Sequence, residues 1–170
     1  LYDSLQGLCT QFFAAQHASA ESSIADTEQQ LTIAKEFSGT LLQQINLTKR
    51  LYEQKAQLIK VDIEAAQARV DFERNVVIPE IEQEITWMLA LKDSFSNLSL
   101  EAQKQLQPII DKFKEFGLPD LQRRLIDARA AIASGATAVK SLGSALVRVG
   151  VEGADAFRKI STITIEWGDI

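Results

Sequence analysis

The stretch from Glu21 to Ile78 limits the fold of this chain more than any other part of the sequence. It contains no proline and one glycine, Gly39, and consists mostly of Ala, Leu, Gln, Glu, Lys and Arg. These residue types are strong helix formers, whereas proline and glycine interrupt helices. At about 1.5 Å per residue, an uninterrupted helix here would be roughly 80 Å long. The sequence therefore predicts a helix over 22–78, called the rod below, with the rest of the chain packed along it.

Apolar side chains in the rod recur in alternating steps of three and four, the heptad spacing of helices that pack on other helices. The main stripe, called the seam, has the apolar members Ile33, Phe37, Leu47, Leu51, Leu58, Val61 and Phe72. A second stripe on the same helix includes Leu31, Ile45, Tyr52, Ile59 and Val70. Two stripes need partners on two sides, so the pattern predicts a bundle of at least three helices. Gln44 and Gln54 interrupt the seam, and they lie either at its edge or inside it, where a buried polar group sets the register.

Capping signals and prolines divide the first half of the chain. An amphipathic helix is predicted over 1–18. The segment 19–27 contains capping signals, namely Thr27 with Gln30 as a capping box and Ser19 and Ser22 as possible N-caps. The apolar stripe of the first helix meets polar residues there, which favours a break, although nothing in the sequence forbids one continuous helix. Pro79 ends the rod and predicts either a new helix over 79–95 or a kinked continuation.

The second half of the chain contains a loop, two further helices and a tail. Ser99 is the predicted N-cap of a helix over 100–116. Gly117 and Pro119 predict the boundary with a helix over 119–149, which is rich in small residues. The segment 160–167 is rich in β-branched residues and predicts a short extended tail. The predicted fold is one all-α domain over 1–170, an elongated antiparallel helical bundle with one helix of about 50 residues or more.

Composition narrows the range of partners. The formal net charge of −5 argues against a nucleic-acid partner. The only cysteine, Cys9, cannot form an intrachain disulfide and is predicted to be buried. The only histidine, His17, is predicted to be a solvated or capping residue. The first residues lack the pattern of a secretory signal, and the missing initial methionine is typical of a trimmed product, so the sequence leaves the localisation open.

The sequence carries no recognisable catalytic set. It has no phosphate-binding glycine loop, no dinucleotide-binding glycine pattern and no GxSxG nucleophile elbow. With one cysteine and one histidine, a zinc site is disfavoured, and a di-iron bundle would need two Glu-x-x-His motifs that are absent. The chain is therefore predicted not to be an enzyme and to need no cofactor or metal.

Three functions fit these observations. The first is a non-enzymatic helical interaction or assembly protein that packs on other helices, either its own copies or a different protein. The second is a membrane-active subunit, since the layout is similar in general architecture to helical pore-forming toxins, with 130–151 as the inserting segment. The candidate membrane or partner contacts are Ile132, Val139, Leu142, Leu146, Val149 and Trp167. The third is a carrier whose bundle opens around an apolar ligand such as a lipid.

Overall fold

The computed structural model describes the backbone of residues 2–37 and 39–168 and the side chains of residues 6–37 and 39–160. Within these residues the chain is an all-α helical bundle without strands, which confirms the predicted fold class. The helices are α1 (Tyr2–Glu36), α2 (Leu41–Phe72), α3 (Ile78–Ser94), α4 (Leu100–Lys112) and α5 (Leu118–Gly168). The longest is α5, with 51 residues, and it lies outside the predicted rod.

The predicted rod is interrupted between Glu36 and Leu41, where the sequence predicts no break. Helix α1 runs through 19–27 without a break and ends at Glu36, and α2 begins at Leu41. The backbone N–H of Thr40 donates to Oε1 of Gln43 (3.0 Å), and the N–H of Gln43 donates to Oγ1 of Thr40 (3.2 Å). This reciprocal pair is a capping box, and it starts α2. Thr27, the predicted cap, is buried inside α1, where its hydroxyl donates to the carbonyl of Ser23.

The chain packs as two compact units, and the prediction of a single domain stays a prediction. The first unit consists of Leu1–Gln67 with Thr137–Ile170. Here α1 pairs with α2 through His17 with Asp62 and through Glu28 with Lys55. From the first pair to the second, the residue number rises along α1 and falls along α2, so the two helices are antiparallel. Helix α5 also contacts α2, where the backbone of Gly153 meets the ring of Tyr52. Helix α2 therefore contacts both α1 and α5, as a bundle of at least three helices requires.

The second unit, Ala68–Ala136, contains the loop that the sequence predicts. A short 3₁₀ turn, Phe95–Asn97, follows α3, and Leu98 has extended backbone geometry. Ser99 is the N-cap of α4, since its Oγ accepts from the N–H of Ala102 (3.3 Å), as predicted. The side chain of Gln103 donates to the carbonyls of Phe95 and Leu98, so α4 also holds the loop closed.

Two prolines in this unit follow short π-helical segments. Segment Glu73–Val77 joins α2 to α3 just before Pro79, and segment Phe113–Gly117 joins α4 to α5 just before Pro119. In each segment the closing N–H donates five residues back, from Ile78 to Glu73 and from Leu118 to Phe113. A proline ring clashes with the preceding helical turn, and the wider π turn gives it room. Pro79 therefore lies in a continuous helical path, as one of the two predicted alternatives required.

A helix boundary does fall at Gly117, since α5 begins at Leu118, but the chain stays helical there through the π segment instead of stopping. The extended tail predicted over 160–167 is wrong. Gly117 lies inside the helical path, and a Cβ there would come within 2.9 Å of the ring of Phe113, so close packing explains this glycine. Helix α5 continues through Gly150 and Gly153 to Gly168. Glycine weakens a helix interior by about 1 kcal/mol without breaking it, and β-branched residues disfavour a helix only slightly. A helix that is already formed therefore extends through both segments.

The core is thin among the residues whose side chains are described. Eight apolar residues are buried, and they are Leu31, Leu51, Val61, Val70, Ile81, Ile110, Leu121 and Ala128. No large side chain among them is completely buried. Large apolar side chains are exposed at more positions than are buried, and these exposed side chains define the surfaces described next.

Candidate interaction surfaces

The seam is divided between covered and open positions. Leu51 and Val61 are buried, whereas Ile33 in the last turn of α1 and Phe37 just after this helix are exposed, Phe37 by 75%. The other three seam residues, Leu47, Leu58 and Phe72, are half-buried. The described chain thus covers the seam along α2 and leaves it open near the α1–α2 turn.

The open part of the seam lines a groove formed by α1 and α2. The groove has a volume of about 570 Å³, and its apolar lining includes Ile33, Phe37 and Leu47. Its polar lining consists of Gln30, Gln43, Asn46 and Arg50. Grooves that bind amphipathic helices combine apolar and polar lining in this way.

The two glutamines that interrupt the seam have different environments. Gln44 donates from Nε2 to the carbonyl of Gly39 (3.4 Å) and so contributes to the α1–α2 turn. Oε1 of Gln54 is buried and has no hydrogen-bond partner. Gln54 as a whole is half-buried with this one oxygen covered, so the choice between the edge and the inside of the seam stays a prediction. An unpaired buried acceptor costs stability, so this residue is a weak point of the core.

A second apolar surface lies near the start of α1. Leu8 and Phe12 are one helical turn apart on this helix, and both are exposed. The rings of Phe12 and Phe13 meet edge to face with their centroids 5.4 Å apart. Cys9 is exposed as well, so its predicted burial is wrong. The amphipathic pattern predicted over 1–18 does mark an apolar face, and at Leu8 and Phe12 that face is exposed.

The candidate contact residues on α5 share one environment. Ile132, Val139, Leu142, Leu146 and Val149 are all half-buried, and the side chain of Trp167 lies outside the described residues. Val147 and Val151 point outward and are exposed. The helical stretch Leu100–Ile160, which contains 130–151, includes an 18-residue window with a mean hydropathy of 1.3, none of it buried. By length and composition alone, this stretch is long and apolar enough to cross a membrane.

One polar cluster joins α1 to α2, and sequence reasoning missed it. Nδ1 of His17 lies 2.6 Å from Oδ1 of Asp62, and Nε2 lies 2.9 Å from Oε1 of Glu21. The hydrogen bond that Asp62 accepts, followed by the one that Glu21 accepts, raises the pKa of His17 above its ordinary value of 6.5. Asp62 is 45 positions away, so only the glutamate one turn along α1 could have been found from spacing.

The cluster pairs His17 with two carboxylates, as an ion pair when the ring is protonated, and its geometry does not suit a metal ion. The two ring nitrogens of a histidine point in different directions, so the two carboxylates do not converge on one point. Among the residues with described side chains, no group of three or more His, Cys, Asp or Glu could hold a metal ion. What the cluster can do chemically is bind or release a proton at the contact between two helices.

No protein-family model, curated protein or solved structure matches this chain. Its function is therefore inferred from its own surfaces.

Proposed function

We propose that this chain is a non-enzymatic helical interaction or assembly protein, and that a partner helix packs into the groove at the α1–α2 turn. The observation that carries the proposal is the exposure of Ile33 and Phe37. The break at 37–40 separates these two residues from Leu51 and Val61 on α2, but Ile33 and Phe37 line one groove with Leu47. Large apolar side chains exposed together in a groove favour a further apolar helix face over them.

The groove has the composition of a helix-binding site. Burying an exposed side chain of the size of Phe or Ile yields about 1.5–3 kcal/mol, so Ile33 and Phe37 are the expected anchors. The polar lining contributes the amides of Gln30, Gln43 and Asn46 and one cation, Arg50. A partner helix with apolar residues at heptad spacing and an acidic residue opposite Arg50 complements this lining. The partner is a second copy or a different protein.

Sedimentation equilibrium and partner pull-down test the proposal. The Ile33→Glu and Phe37→Glu variants should weaken the association at least tenfold, since a charge in an apolar interface is unpaired and desolvated. The Leu100→Glu variant is the matched control, because Leu100 is 78% exposed and does not line the groove. A chain that stays monomeric at high concentration and captures no partner would contradict the proposal.

The second candidate function is that of a membrane-active subunit of a helical pore-forming toxin. The observation that favours it is the apolar window in Leu100–Ile160, in which no residue is fully buried. Insertion of 130–151 would place Lys140 and Arg148 in the apolar layer, which costs about 2.5–3.5 kcal/mol for each charge at the centre. That cost favours an oligomer in which these charges face a water-filled interior.

Vesicle leakage and lipid co-sedimentation test the second candidate. The Val147→Lys variant should reduce leakage strongly if 130–151 inserts. The Ile126→Lys variant is its control, because Ile126 is exposed to a similar degree, 65% against 69%, and lies outside that segment. The absence of leakage and of lipid binding over a range of lipid compositions and pH would exclude this role.

A further inference from the structure

His17 makes two hydrogen bonds that one protonation state alone can satisfy. Nδ1 faces a carboxylate oxygen of Asp62 on α2, and Nε2 faces a carboxylate oxygen of Glu21 on α1. Carboxylates only accept hydrogen bonds, and a neutral imidazole has a single N–H to donate. The imidazolium has two, so it alone donates to both carboxylates. In the neutral ring, one nitrogen lone pair would face a carboxylate lone pair.

We propose that His17, Asp62 and Glu21 form a proton-dependent clamp that holds α1 on α2 and is released when His17 loses its proton. The clamp acts between helices because Asp62 is the member on α2. Glu21 lies one turn from His17 on α1, so it fixes the ring and keeps it charged. The cluster is partly accessible, with the side chain of His17 38% exposed, so protons and salt reach it freely.

The direction of the pH response follows from the charges that act on the ring. Among the described residues these are Asp62 on α2 and Glu21 on α1, and no charged group of α5 contributes. Both carboxylates raise the pKa of His17 above 6.5. A group whose pKa is raised by folding stabilises the fold fully below its unfolded value and loses that effect as the pH rises through the folded value. The clamp is therefore closed in mildly acidic solution and opens on the alkaline side.

The composition of the chain allows the titration of the clamp to be observed directly. His17 is the only histidine, so one imidazole resonance reports the titration in the full chain. We expect the wild-type pKa to lie clearly above the ordinary value of about 6.5. Asp62→Asn and Glu21→Gln should each lower it, and the double variant should bring it close to the ordinary value. A wild-type pKa at the ordinary value, or one that Asp62→Asn leaves unchanged, would overturn the proposal.

A distance measurement tests the release itself. Cys9 on α1 is exposed and accepts a spin label, and Lys60→Cys supplies the second label on α2. The distances between the two labels are measured at about pH 5.5 and at two pH units above the measured His17 pKa. At the higher pH their distribution should broaden toward longer distances. At about 1 M salt the difference between the two pH values should shrink, because the paired charges are partly exposed.

Two variants of His17 separate the clamp from other effects of pH. His17→Gln cannot titrate, so its distribution should match the open wild-type form at both pH values. His17→Arg is always charged and can pair with both carboxylates, so it should keep the closed form at both. An equal pH response in His17→Gln would assign the opening to other groups and refute the clamp. So would a wild-type distribution that does not change when His17 is titrated.

Discussion

The ring of Tyr52 lies against the backbone of Gly153, so closely that a Cβ on residue 153 would come within 3.2 Å of Cγ of the ring. This contact joins α2 to α5 in the first compact unit. Two other glycines of α5, Gly143 and Gly150, have nothing within 4 Å of the corresponding position. Gly153 therefore permits a close contact between two helices, whereas Gly143 and Gly150 in the same helix do not.

Alanine substitutions of these glycines should separate the roles. Gly143→Ala and Gly150→Ala should each raise the free energy of unfolding by about 0.5–1 kcal/mol, because alanine favours the helix and no atom is in the way. Gly153→Ala should gain clearly less, since Tyr52 must move by a few tenths of an ångström. Urea unfolding of the three variants measures the difference. Equal gains at all three positions would show that Tyr52 yields without cost.

The start of α2 depends on Thr40. Thr40→Ala should lower the free energy of unfolding by about 1 kcal/mol, because it removes the side-chain half of the capping box. Thr32→Ala is the control, since Thr32 is exposed in α1 and its hydroxyl only bonds the carbonyl of Glu28. That control should be neutral or slightly stabilising. Urea unfolding measures both, and a Thr40→Ala variant as stable as Thr32→Ala would place the cap elsewhere.

The turn before α2 depends on Gly39 for a different reason. A Cβ on residue 39 would lie 2.7 Å from both Cβ and the carbonyl oxygen of Ala34. Gly39→Ala should therefore destabilise by at least about 1–3 kcal/mol, the range for overpacking, since backbone atoms have to shift. Thermal unfolding compared with Gly143→Ala, which has open space, checks this. A stabilised Gly39→Ala variant would contradict the tight turn.

Burial along the seam predicts a graded response to truncation. Leu51→Ala should cost about 2–5 kcal/mol, the range for a leucine removed from a core. Leu58→Ala should cost less, because Leu58 is only half-buried. Ile33→Ala should change the stability of the isolated chain little and should weaken partner binding instead. A larger loss of stability at Ile33 than at Leu51 would mean that the groove is covered in solution.

The buried acceptor of Gln54 offers a stabilising substitution. Gln54→Met keeps the length of the side chain and removes an oxygen without a partner, whose burial costs about 1–3 kcal/mol. We therefore expect the melting temperature to rise. Gln57→Met, at an exposed position on the same helix, should leave stability within about 0.5 kcal/mol of wild type. A loss of stability in Gln54→Met would indicate that the amide has a polar partner in solution.

Local signals in the sequence located some helix ends and misplaced others. Ser99 was identifiable as a cap because it follows a polar loop and precedes an apolar periodic segment. The true break near Gly39 was missed because Thr27 with Gln30 shows the same pattern as Thr40 with Gln43. A capping pattern needs a helix end to act on, and only the close approach of residue 39 to Ala34 marks that end. Such an approach is a property of the folded turn and not of the pattern.

The candidate surfaces were predictable only in part. Heptad spacing identified Ile33 and Phe37 as members of an apolar stripe, and they do line a groove. Spacing does not indicate whether the covering helix belongs to the same chain, so their exposure could not be foreseen. The pairing of His17 with Asp62 depends on the register of two antiparallel helices, which in turn depends on the turn at 37–40. A break placed at 19–27 would have put both residues in different surroundings.

The π-helical segments before Pro79 and Pro119 have a consequence for changes in chain length. A π segment contains one residue more than the α-helical turn it replaces. A single deletion within 73–77 would remove that surplus and leave the side chains on both flanks facing as before, whereas a deletion elsewhere in the helix rotates all that follows by about 100°. The proline would then meet an ordinary helical turn and clash with it. The deletion alone should therefore destabilise the helix, whereas the same deletion combined with Pro79→Ala should be tolerated. The same dependence is expected for the segment before Pro119.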